Sequence, residues 1–369
     1  MCQTQERVNI SAGLDAFLTF TVAHPKLVAA KDSVMAAIEY GEPNSIIMVY
    51  GPTGVGKTTL LRRIEALLIE SFMHRNGTDD RSGRIPVVAM EAAAPDGGNF
   101  GWRDHFIRLL DALGDPTVRF NCLPLLPPDF IRNTRRVEPT ARYRYAVEQA
   151  LRHRRPAAVI IDEAQHLTRL VSGRRLLDQL DVIKSIANQT QTVHVLAGTY
   201  ELLALRDLNG QLSRRTTHVH LDRYHVDKDE DRDNFVRIVY SLQQALPLGH
   251  ETDLMNDWKF LHECTCGCIG ILKQLLNRAV RDACARGASG IRRSDLERHA
   301  LSARQRERIL TEAMMGEAQF ADVAMLGNFP TTHSTYKAAP VAKSRARQST
   351  PGNRRPKRDA VGLGTTPHA

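Results

Sequence analysis

An α/β fold, an open and mainly parallel sheet covered by helices, is the architecture this sequence predicts, and three observations predict it. Short apolar runs bounded by breakers alternate with longer helical patterns. A glycine-rich turn, "GPTGVGKTT", follows the first of these runs directly and opens a helix. A chain of 369 residues with 42% hydrophobic content also has enough apolar surface to bury a substantial core.

In chain order, Leu27 to Tyr40 has the spacing of an amphipathic helix, and Gly41 to Asn44 is a turn into the first strand, "SIIMVY", Ser45 to Tyr50. Four more strands are predicted: "IPVVAME" (Ile85 to Glu91), "AAVIID" (Ala157 to Asp162), "TVHVLAG" (Thr192 to Gly198) and "THVHLD" (Thr217 to Asp222). Between the second and third lies "APDGGNFGWRDHFIRLLDALGD" and then the proline-rich "PLLPPDF", longer than a simple crossover requires. After the fifth strand, Asp229 to Ala245, Leu254 to Glu263, Gly270 to Arg286 and Ser294 to Ala300 all have helical patterns and form a small helical subdomain. The expected division is therefore an N-terminal segment and helix (1–40), a sheet domain (41–225), a helical subdomain (226–315) and a basic, disordered tail (316–369).

No run of about 18 uncharged apolar residues exists, so no membrane partner is expected, and the N-terminus lacks the basic-then-apolar order of a signal peptide. A cytoplasmic protein is expected. Of six cysteines, three fall in "CTCGC" (Cys264, Cys266, Cys268), which is not the framework of a small secreted scaffold; a buried structural role is favoured over zinc, since no second pair at finger spacing accompanies the run. The net charge of +9 favours polyanionic partners, because cations that neutralise phosphates release condensed counterions. After Thr331 the tail carries Lys337, Lys343, Arg345, Arg347, Arg354, Arg355, Lys357 and Arg358 against a single acid, Asp359. Such a composition suits either a solvated tail or a flexible arm for nucleic acid or a partner protein.

The chemistry is concentrated at three strand ends. Gly51, Gly56, Lys57 and Thr58 fit G-x-x-x-x-G-K-[ST], so the backbone from Gly51 through Pro52, Thr53, Gly54, Val55 and Gly56 would wrap the phosphates of ATP, with Thr59 in the first helical turn. Lys57 would reach the β- and γ-oxygens, and Thr58 would hold Mg²⁺. At the end of "AVIID", Asp162 would complete the Mg²⁺ shell, and Glu163, one residue on, would orient and deprotonate the attacking water. Hydrolysis is thus the expected chemistry. At the end of the fourth strand Thr199 would either sense the γ-phosphate or cap the next helix. Arg214 and Arg215, just before the fifth strand, sit too far round the domain for their own nucleotide and would serve a neighbouring subunit in trans.

This order of signals resembles the AAA+ ATPases, and within them the transposition regulators TnsC and TniB and, more distantly, MuB. The resemblance spans about Leu14 to Ala300 and rests on "GPTGVGKTT", "VIIDEAQHL", "LAGT" and "QLSRR", with the "APDGGNFGWRDHFIRLLDALGD" segment and the "QLSRRTTHVHLDRY" run carrying the finer likeness. It implies an AAA+ P-loop domain with a five-stranded parallel sheet and a helical lid, in which Arg214 matches the arginine finger, Thr199 the first sensor and Lys273 of "GILK" the second. The more usual residues at the two sensor positions are Asn and Arg. "HECTCGCIGILKQLLNRAV" matches the lid segment.

The resemblance further implies a bacterial, nucleoid-associated protein that assembles with ATP on double-stranded DNA as a homo-oligomeric ring or filament, marks a target site and activates a DDE transposase. A target selector of TniQ or TnsD type would be a further partner, and hydrolysis would take the assembly apart. Asn99, Arg103, Arg132, Arg135 and Arg136 are the candidate contacts to the DNA backbone, while Phe100 and Trp102 are read as packing anchors. Two other readings share the same motifs: a helicase loader or replication initiator, and a nucleotide-driven signalling switch.

Overall fold

β1 (Ile46–Tyr50) is buried at all five positions, which requires covered faces and a neighbour on each side. In the computed structural model, which describes residues 13–77, 83–95, 100–119, 139–168, 174–207, 216–248 and 252–326, it has both. With β2 (Val88–Glu91), β3 (Ala158–Asp162), β4 (Val193–Gly198) and β5 (Thr216–His220) it forms one sheet in the order β2-β3-β4-β1-β5, every pairing parallel. The α/β fold with a five-stranded parallel sheet is as the sequence predicts, each strand shorter than or shifted from its expected bounds by a few residues. The largest change is at β2, an edge strand whose pairing with β3 begins only at Val88.

Helices cover both faces. Those flanking the sheet are α1 (Pro25–Tyr40), α2 (Lys57–Asn76), α3 (Trp102–Ala112), α4 (Pro116–Arg119), α5 (Pro139–Arg154), α6 (Arg174–Thr190) and α7 (Leu203–Asp207). The period of two along β1 sends Ile47 and Val49 to one core with Val34 of α1 and Leu60 and Ile64 of α2. Met48 and Tyr50 enter the opposite core with Phe106 and Leu110 of α3, Val147 of α5 and Ile183 of α6. Phe100 belongs to that core and Trp102 packs on it edge-on at 5.1 Å, so both act as packing anchors.

After the sheet come α8 (Asp229–Gln244), α9 (Trp258–Thr265), α10 (Ile269–Ala285) and α11 (Arg293–His299), which close around Phe235, Leu242, Leu261, Leu272 and Leu276. Phe17, from a helical stretch over residues 13–19, is buried in this third core. The described residues up to Met325 pack as one unit.

The final helix, α12 (Ala303–Leu326), departs from expectation: it crosses the boundary placed at residue 316 and runs on to Leu326. Three contacts seat it on the sheet domain. Arg223, just past β5, donates from Nε and Nη2 to both oxygens of Glu317 at 2.7 and 3.2 Å, a paired geometry that gives direction as well as attraction. Phe320 stacks on His220 at 4.4 Å. Gly316 lies so close to Tyr200 that a Cβ there would stand 2.1 Å from the ring's Cγ. Residues 327–369, including the basic run, lie outside the described residues.

A glycine inside an exposed helix is ordinarily improved by alanine by about 1 kcal/mol. Gly316→Ala is expected to do the reverse, losing about 1–3 kcal/mol in urea denaturation through overpacking against Tyr200. A gain would show that α12 does not dock as described.

Candidate functional site

Gly56 is the N-cap of α2 at φ 116°, a backbone that a residue with a Cβ adopts only under strain, and the space beyond its Cα is open. The loop from Gly51 to Gly56 thus delivers the start of α2, with its unpaired N–H groups, to the end of the buried β1. Lys57 follows at 8% exposure, and its Nζ donates to the carbonyls of Gly51 (2.8 Å) and Pro52 (2.9 Å). Burial pushes the ammonium down to about 8, opposed by the attraction of Glu163 and Asp162. A buried cation held by loop carbonyls is a ready partner for phosphate oxygens.

Because β3 and β4 lie between β1 and β2, the ends of β3 and β4 stand beside this loop. This is the topological position at which open α/β sheets bind ligands. Thr58 donates from Oγ1 to Asp162 Oδ2 at 2.7 Å, while Asp162 Oδ1 accepts from Glu163 N at 2.8 Å. A hydroxyl and a carboxylate converging beside a phosphate cradle are hard oxygen donors that fit Mg²⁺. Glu163 has φ 52°, a left-handed conformation uncommon for a residue with a side chain. It lines the cavity together with Gln165, Thr199 and Tyr200.

Thr199 holds the N-cap position of the short 3-10 turn Tyr200–Leu202, but its side chain makes no capping bond. Its Oγ1 is buried and without a partner. A cap is therefore not what the hydroxyl does here, and it remains available to a ligand. Two features escaped the sequence reading: Gln165, 2% exposed, which bonds both Glu163 and Thr199, and the α12 side chains Arg308, Glu312 and Met315, which line the same cavity.

The cavity measures about 1040 Å³, enough for a ligand larger than most drugs. Its far side is built by Phe20, Val22 and Leu27 before the sheet and by Leu242, Ile269 and Lys273 of the lid. The lid is bonded to the loop directly, Ile271 N donating to Gly54 O at 3.1 Å. Lys273 lines the cavity, but its ammonium donates to Phe17 O and lies 3.5 Å from the Phe17 ring centroid. Burial lowers it to about 8.

Arg103 is exposed on α3, its guanidinium 5.8 Å from the Tyr143 ring. Asn99, Arg132, Arg135, Arg136, Arg214 and Arg215 lie outside the described residues. Cys264, Cys266 and Cys268 are buried thiols, all raised by burial, Cys268 to about 12. Cys264 accepts from Arg306 Nη1 at 3.3 Å. Among the described residues the one group with metal-ligand spacing is Asp222, His225 and Asp231. There the Lys26 ammonium already stands 3.3 Å from Asp222 and 2.7 Å from Asp231.

Residues 41–205 match the model of the AAA domain. No curated protein matches the chain. Among solved structures, the ORC2 protein of Aeropyrum pernix in its ADPNP-ADP complexes is similar with TM-score 0.51 and 14% identity over 78% of this chain and 72% of that one. Its ADP form gives TM-score 0.48 and 14% identity, covering 76% and 70%. The Walker-type ATPase paby2304 of Pyrococcus abyssi gives 0.43 and 14%, covering 81% and 76%. The domain match gives residues 41–205 an AAA domain and the chain an ATPase activity, and the first of these structures shares its α/β fold with a helical C-terminal region. Nucleotide binding follows from the domain.

Thr58→Val keeps the shape of the side chain and removes its hydroxyl. It is expected to abolish the Mg²⁺-dependent part of nucleotide affinity, a loss of about tenfold or more by titration calorimetry with and without Mg²⁺. Unchanged Mg²⁺ dependence would remove Thr58 from the metal's shell.

Proposed function

We propose that this AAA+ ATPase is a DNA transposition regulator of TnsC or TniB type, assembling with ATP on double-stranded DNA and leaving it after hydrolysis. The observation that carries the reading is the course of α12. Its first half lines the nucleotide cavity through Arg308, Glu312 and Met315, and the sequence that follows it holds the most basic stretch of the chain. Nucleotide and polyanion would therefore act on one continuous segment. The net charge of +9 and the family resemblance support the same reading.

In the proposed hydrolysis, backbone N–H groups of the Gly51 to Gly56 loop orient the β-phosphate, and Lys57 turns from its two carbonyls to the phosphate oxygens. Glu163 takes the proton of the attacking water, and Thr199 Oγ1 holds that water or a γ-oxygen. The products are ADP and phosphate. Thr58 and Asp162 would hold Mg²⁺, which when bound supplies charge neutralisation between the phosphates. Arg214 or Arg215 from a neighbouring subunit would stabilise the γ-phosphate charge, so hydrolysis would require assembly. A DDE transposase, and a target selector of TniQ or TnsD type, would be the partners of the assembled form.

Fluorescence anisotropy of a labelled random-sequence duplex tests this reading. Cooperative binding is expected with ATP or a slowly hydrolysed analogue and not with ADP or without nucleotide. Replacing Arg103, Arg132, Arg135 and Arg136 by alanine should flatten the slope of log affinity against log salt by about 0.9 for each phosphate contact removed. Binding that ignores nucleotide, or no binding at all, would favour a protein-directed ATPase switch. An unchanged slope would remove these arginines from the DNA contact.

A further inference from the structure

We infer that Gln165 is a positioning residue that holds the carboxylate of Glu163 against the end of β4, so that the water-activating group and Thr199 move as one. The inference rests on the hydrolytic role proposed for Glu163 and names the side chain that fixes its geometry.

Glu163 starts from an unfavourable backbone. A non-glycine residue in the left-handed region is strained and persists only where its surroundings determine it. Backbone bonds hold the main chain there, with Glu163 N on Asp162 Oδ1 (2.8 Å) and His166 N on Glu163 O (3.0 Å). They leave the side chain to be placed separately. Gln165 Nε2 donates to Glu163 Oε2, and Gln165 Oε1 accepts from Thr199 N at 3.2 Å. The amide thus uses its donor on the carboxylate and its acceptor on the neighbouring strand end. No other uncharged side chain of that length offers both.

Both ends of this bridge are rigid. Gln165 is 2% exposed, its carbonyl accepts from Thr168 N at 2.9 Å and Oγ1 at 2.7 Å, and a Cβ on Gly198 would stand 2.4 Å from Gln165 Oε1. Beyond Thr199, Tyr200 is tied by its hydroxyl to His220 Nε2 at 2.7 Å and is covered by Gly316. The bridge engages Oε2 of Glu163, a residue that also lines the cavity.

The test compares steady-state ATP hydrolysis and affinity for a slowly hydrolysed ATP analogue in the full chain, with thermal midpoints as a fold control. Gln165→Glu keeps the shape and the acceptor but loses the donor, and Gln165→Met keeps the volume and loses both. Each is expected to lower kcat by about tenfold or more while analogue affinity stays within about threefold. In a Glu163→Gln background, adding Gln165→Glu should change the residual rate by less than about twofold, since the two act as a unit. A kcat within about twofold of wild type in both Gln165 variants, or full additivity with Glu163→Gln, would overturn the role of Gln165. Wild-type hydrolysis by Glu163→Gln alone would instead overturn the assignment of Glu163, and this role with it.

Discussion

A buried ammonium beside the end of a fully buried strand is the constraint on which this molecule is organised. Lys57 gives up hydration to sit under the loop it follows, where the carbonyls of Gly51 and Pro52 and the field of Glu163 and Asp162 offset that loss. Such a group is costly to maintain and useful only to an anion. The strand order then decides what surrounds it. With β4 and β5 on either side of β1 and β3 beyond β4, the carboxylates at the end of β3 and the threonine at the end of β4 converge on the same space.

The helices that close the space come from three distant parts of the chain. The N-terminal stretch supplies Phe17 to the lid core and Phe20 to the cavity wall, the lid bonds the phosphate loop through Ile271, and α12 returns to cover Tyr200. A change in the ligand at the phosphate loop therefore has direct mechanical neighbours in all three. Tyr200 links two of the systems, being adjacent to Thr199 on one side and packed under Gly316 on the other.

What could be read from the sequence was local. The five strands announce themselves by short apolar runs, and the phosphate loop by glycines at fixed spacing after a strand; both depend on few long-range contacts. Asp162, Glu163 and Thr199 were legible because Asp162 ends a strand and the other two directly follow one. Gln165 was not, since its importance arises only when β4 is placed beside β3 and Thr199 N comes within reach. The extent of α12 past residue 316 depends in the same way on a distant contact, Gly316 against Tyr200. The first helix, expected from Leu27, starts two residues earlier, with Pro25 at its first position behind a cap in which His24 accepts from Leu27 N.

The most direct measurement is the pair of effects of Lys57→Met on nucleotide affinity and on the stability of the nucleotide-free protein. If Lys57 is held buried for phosphate, the variant should lose about a hundredfold or more in affinity for ATP by calorimetry while its thermal midpoint without nucleotide stays equal or rises, because an unfavourably buried charge has been removed. Wild-type affinity in the variant, or a marked fall in its nucleotide-free midpoint, would contradict the account and make Lys57 a structural residue.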